Sequence, residues 1–172
     1  MEIKDYREHI KRIARERKGE TVYNGSADHA AIIMENLFAS AQQCVRIFTG
    51  DLNAKVYGAA PVVQRARQFL GHSDHVLQVI VEDLTVSSSH PLIEELAEED
   101  GFEMYQLDQD LSKHIPYHFS TADADCFRFE REKNSHSAIA AFGDSETTEH
   151  LNDVFSEMLK LCTKVDKAQF LN

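Results

Sequence analysis

The chain has 172 residues and a net charge of −11, with 42% hydrophobic and 27% charged side chains. That is one domain's worth of ordinary globular composition, long enough to bury a sizeable core. No apolar run approaches the roughly 20 residues that cross a bilayer, and Met1–His9 is too charged for a signal peptide, so no membrane span and a cytoplasmic location are expected.

Ile3, Tyr6, Ile10 and Ile13 share one stripe and predict an amphipathic helix over residues 3–18. Arg12, Arg15, Arg17 and Lys18 crowd its last turns, where cations suit the helix dipole. The stripe is expected to pack on the domain or on a second copy, its narrowness suiting a dimer seam; binding of nucleic acid or a membrane surface is the alternative. Gly19 and Asn24-Gly25-Ser26 break the pattern, giving an N-terminal helix unit of residues 1–20 and a main domain of 26–162. Ser26 or Asp28 can cap a second helix carrying Ile32, Ile33, Leu37 and Phe38. A β-run Cys44–Thr49, a helix from Pro61 to Leu70, a strand Val76–Val81, a helix Pro91–Glu99 and a strand Phe102–Leu107 follow. This alternation predicts parallel strands flanked by helices. Residues 117–121, 126–131 and 138–142 then read as short antiparallel strands, with Asn134-Ser135 as a turn. A final helix starts at Thr147 or Thr148 and carries Leu151, Val154, Phe155, Met158, Leu159 and Cys162, before a tail of 163–172. The fold class expected is therefore α/β, a mixed β-sheet flanked by helices.

The chemistry-bearing stretch is His118-Phe-Ser-Thr-Ala-Asp-Ala-Asp125, followed by Phe127-Arg128-Phe129-Glu130. His118 and Asp125 have the spacing of a His-x-Lys-x4-Asp motif, with Ser120 in the lysine's place. On these residues and on the element order, the chain resembles one repeat of the phospholipase-D-like superfamily, with an extra N-terminal helix. The resemblance implies a phosphodiesterase-type fold in which two repeats bring two histidines to a phosphoryl group, so a single repeat would need a homodimer or a partner chain. It implies His118 as nucleophile or acid and Asp125 as its orienter. That chemistry needs a cation on the phosphoryl oxygens. Lys113 and Arg128 are candidates, but neither sits at the lysine's offset in sequence.

Other constellations are less specific. Gly50-Asp51, Glu82-Asp83 and Asp108 end the parallel strands, where open α/β sheets place ligands, so Asp51, Asp83 and Ser120 are the candidate ligand-binding residues. No dinucleotide fingerprint is present and no cofactor is expected. His72-Ser-Asp-His75 lacks further ligands and reads as an exposed loop, so no metal is expected. Three cysteines, Cys44, Cys126 and Cys162, have no close pairing and read as free thiols. Residues 1–20 are net +2 and the remainder −13; from Gln68 to Ser112 there are eleven acids and no lysine or arginine. Such a surface repels phosphate backbones, so nonspecific nucleic-acid binding is not expected. The functional expectation is a non-catalytic interaction or regulatory module, dimeric or bound to a protein partner. A phosphodiesterase or nuclease using His118 in a composite dimer site, and a small-ligand sensor, are the alternatives.

Overall fold

The computed structural model describes residues 1–86 and 88–171. Asn172, at the end of the expected tail, and Ser87, inside the acidic stretch, lie outside them. Helix α1 (Ile3–Glu16) and strand β1 (Thr21–Asn24) precede α2 (Ala27–Ser40), β2 (Cys44–Thr49), the short α3 (Ala54–Tyr57) and α4 (Ala60–Leu70). Then come β3 (Val76–Val81), α5 (Pro91–Leu96), β4 (Phe102–Leu107), α6 (Gln109–Ser112), β5 (His118–Ala122), β6 (Cys126–Glu130) and β7 (Ala138–Phe142). Helix α7 (Ser145–Leu159), β8 (Cys162–Lys164) and a 3-10 turn (Lys167–Phe170) finish the chain.

Eight strands form one sheet in the order β1-β7-β6-β5-β2-β3-β4-β8. Strands β2, β3 and β4 are parallel, because helical crossovers carry the chain back between them. The other neighbours are antiparallel. The mixed sheet flanked by helices is thus present as expected. The reversal lies between β2 and β5, so the carboxyl ends of β2 and β3 meet the start of β5 and the end of β6 at one rim of the sheet. Helices α1, α2, α4 and α5 share the larger core with residues such as Val45, Ile47, Val79 and Phe142. Helix α7 packs Leu151, Phe155 and Met158 on Phe48, Ile80, Phe119 and Phe127 on the opposite face.

Helix α1 is not a free seam. Tyr6, Ile10, Ile13 and Ala14 are buried in the larger core, so of the two partners expected for the stripe it packs on the domain and not on a second copy; Ile3 alone of the four predicted residues stays exposed, at 43%. Two strands escaped the pattern reading. β1 is only four residues long, inside a segment read as a break, yet its alternating exposure and its pairing with β7 are those of an edge strand. β8 takes Cys162, which carried the helical spacing of α7; the helix stops at Leu159, and β8 pairs with β4 instead.

Candidate functional site

His118 begins β5 and is buried at 7% exposure. Its ring stands edge-on to Phe48, with centroids 5.2 Å apart. Gly50 follows β2 at this rim, and a side chain there would meet His118 Cε1 at 3.5 Å. The ring turns Nε2 toward Glu82, just past the end of β3, with Nε2 and Oε2 3.4 Å apart. At that separation the two attract without forming a well-made hydrogen bond, and Nε2 is a buried nitrogen with no hydrogen-bond partner among the described residues. The other oxygen of Glu82 accepts from Lys133, whose ammonium also donates to the carbonyl of Ser112 at 2.9 Å. Burial alone would raise the Glu82 carboxyl; the contacts from His118 and Lys133 outweigh it and hold the group below the usual carboxylate range.

Ser120, where the motif's lysine would stand, is fully buried, its hydroxyl near that of Tyr57. Directly across the β5–β6 ladder from it lies Arg128. The expectation that no cation is suitably placed needs correction, because strand pairing rather than sequence offset decides what faces position 120. Residues alternate across a strand, so Arg128 turns away from Phe127 and Phe129, which pack toward α7. Its Nε donates to Asn24 Oδ1 at 3.1 Å and its Nη2 to Glu130 Oε2 at 3.2 Å. Asn24 sits two strands away, beyond β7, and the side chain can cross because β7 offers only the methyls of Ala138 and Ala140 there. At 2% exposure Arg128 is more deeply buried than Glu130 at 7%. Lys113, the other candidate cation, pairs on the surface with Asp110.

These groups surround a narrow cavity of about 40 Å³ lined by Thr49, Asp51, Tyr57, His118, Arg128 and Glu130, with Asn134 and His136 from the β6–β7 connection. Tyr57, from α3, is pushed up in pKa by burial, opposed by the Arg128 charge and the Ser120 and Thr49 hydroxyls. Every cation at the site is matched by a carboxylate, Arg128 by Glu130 and Lys133 by Glu82.

Asp125 is not part of this constellation. It follows the far end of β5, about 13 Å along the strand from His118 at ~3.4 Å per residue. Its carboxylate instead takes a two-pronged contact from Arg17, with Nε at 3.2 Å. Its carbonyl accepts from the N–H groups of Gly143 and Asp144 at 2.7 and 2.8 Å. The expectation that Asp125 orients His118 is therefore replaced: Glu82 is the carboxylate beside the imidazole. Asp51 lines the cavity, whereas Asp83 is exposed and does not, its N–H donating to the carbonyl of Gly50. Asp108 caps α6. His75 bonds the carbonyl of Phe69 and stacks on its ring, and no group of three or more metal-type ligands occurs among the described residues. Glu82 was visible in sequence as a strand-end acid. Asn24, Tyr57 and Lys133 were not, since each reaches the site from an element that only the three-dimensional pairing brings near.

The comparisons fit this architecture. A family model described as a domain of unknown function, DUF7931, matches residues 26–167. No curated protein matches the chain. Among solved structures, TrmBL2, an archaeal chromatin protein with a novel mode of DNA binding, is similar with a TM-score of 0.62 at 13% identity; the match covers 94% of this chain and 61% of that one. NucT from Helicobacter pylori matches with a TM-score of 0.62 at 14% identity, over 86% of this chain and 100% of its own. Nuc from Salmonella typhimurium, a phospholipase D family member, matches with a TM-score of 0.59 at 9% identity, over 85% and 96%. At such identities the likeness is one of fold: this is an α/β fold shared with phospholipase D family members. The expected absence of nonspecific nucleic-acid binding is overturned by the first of these, because a DNA-binding chromatin protein carries the same fold, and acidic balance alone does not exclude that class of partner. No helix among the described residues is long and apolar enough to cross a membrane. With most of its length under the family model, the chain belongs to the DUF7931 family.

Proposed function

We propose that the chain is a phospholipase-D-like interaction or regulatory module, dimeric or bound to a protein partner, whose former catalytic rim no longer performs phosphodiester chemistry. The observation that carries this reading is the charge balance around His118. A phosphoryl group in flight needs uncompensated positive charge or free donors aimed at its oxygens. Here Arg128 is paired with Glu130 and Lys133 with Glu82, and Ser120 supplies no charge. An entering anion would meet two carboxylates for its two cations, in a cavity of about 40 Å³.

A specific observation favours a second reading, a phosphodiesterase with a composite site. Arg128 stands opposite the position of the missing lysine, and Glu82 beside His118 could fix its tautomer. Assay of bis(p-nitrophenyl) phosphate and of short oligonucleotides with wild type and His118→Ala decides between them. No hydrolysis above the His118→Ala level is the expected result. Hydrolysis lost in a folded His118→Ala protein would establish the second reading and overturn the first.

A further inference from the structure

The connection between β6 and β7, residues 131–137, contributes Asn134 and His136 to the wall of the His118 cavity. Two of its residues, Asn134 and His136, hold left-handed backbone angles, φ +63° and +55°. Neither is glycine, and each such residue stores strain that persists only when the surroundings enforce it. Two ties do so. Lys133 reaches out of the connection to Glu82 and to the carbonyl of Ser112, and lies 6.0 Å from the centre of the Phe48 ring. The side-chain amide of Asn24 donates to the carbonyl of His136 from the other side. The same cavity is lined by His118, whose buried Nε2 makes no well-formed hydrogen bond among the described residues.

A ring nitrogen buried without a well-formed hydrogen bond is costly, and a strained segment pinned beside it by one ammonium and one amide is an unusual combination. We propose that residues 131–137 are a lid over the His118 cavity, latched shut by Lys133 on Glu82 and by Asn24 on the backbone. Lys133 holds one oxygen of Glu82 while the other faces His118, so the latch is anchored on the carboxylate beside the imidazole and opening exposes the ring. The lid stands under either functional reading, since it governs access to the cavity and not what happens inside it.

Carbethoxylation by diethyl pyrocarbonate, mapped residue by residue by mass spectrometry, tests this. His90 is the internal control: it is buried at 8% exposure, with its ring on the carbonyl of Leu52 at 2.7 Å, so it reacts only when the fold opens. Lys133→Met keeps the side chain's apolar stem and removes the latch; His118 should react about ten-fold faster while His90 does not change. Asn24→Asp removes the amide that donates to His136 while keeping an oxygen for Arg128, and should also accelerate His118. If one variant loses the His90 control through unfolding, the other decides. An unchanged His118 rate in a variant that keeps His90 protected overturns the lid.

Discussion

At the scale of single residues, Arg128 has the largest energetic consequence at the site. A buried guanidinium is tolerated only when its charge is paired and its N–H groups are bonded, which Glu130 and Asn24 do here. Replacing Arg128 by Met strips the partner from a carboxylate that is 7% exposed. The expected loss is about 3–5 kcal/mol, the scale for breaking a buried pair from one side. The double change Arg128→Met with Glu130→Gln should recover a large part of that loss, because no orphaned charge remains. Urea unfolding of the three proteins measures both numbers. Equal stabilities for the single and the double variant would show that Arg128 acts through packing alone. The residue scale is also where the sequence was least legible. His118 and Ser120 could be picked out from the motif spacing, but the spacing also led to Asp125. The aspartate's role turned on where Arg17 lies, more than a hundred residues away in the chain. Local spacing cannot report such a pairing.

At the scale of elements, α1 and the motif turn form one clasp. Helix α1 ends with Arg17 in the left-handed conformation, φ +49°. This turns its guanidinium onto Asp125 and, through Nη1, onto the carbonyl of Ser40 at 3.3 Å. The N–H of Gly19 then donates to the carbonyl of Phe142 at 2.8 Å, closing the clasp on the end of β7. Gly143 is where the two backbones touch: its φ is +95°, and a Cβ there would sit 2.1 Å from the carbonyl oxygen of Arg17. Gly143→Ala should therefore destabilise the protein by several kcal/mol, combining the strain of the backbone angle with a clash against main chain that cannot yield cheaply. Thermal unfolding checks this; a shift of under a degree would mean that α1 can lift away at little cost. The strands β2, β3 and β4 were legible in sequence to the residue, and the periodic helices α1, α4 and α5 to within one to three residues at their ends. The clasp was not, because its parts are a left-handed cap, a glycine and one acid, none of which carries a periodic signal. The family model begins at residue 26, yet Arg17 and Asn24 from the segment before it bind the motif turn and the cavity wall.

At the scale of the whole molecule, the two faces of the sheet are covered unequally. Four of the longer helices share the core on one face, whereas α7 crosses the other alone. Eight strands at about 4.8 Å spacing make a sheet over 30 Å wide, against roughly 10 Å for one helix. On that face Tyr23, Ile139, Phe129 and Phe119 stand side by side across β1, β7, β6 and β5, running from the uncovered edge to the part under α7. Phe119 is buried under α7, Phe129 and Ile139 are half-buried, and Tyr23 is 73% exposed. Since the α1 stripe is used up inside the chain, this row is an apolar surface that could hold a second copy in the dimer proposed above. A carboxylate placed there would meet its like across a two-fold axis and would be driven from an apolar contact. Tyr23→Glu should convert a dimer to a monomer while circular dichroism and thermal unfolding stay near wild type, the side chain being largely in solvent in the single chain. Sedimentation velocity on both proteins at micromolar concentration reads the outcome. A wild-type dimer that persists in Tyr23→Glu would move the interface elsewhere. A wild-type chain that sediments as a monomer at those concentrations would remove the dimer from the proposal and leave a partner protein as the occupant to be sought.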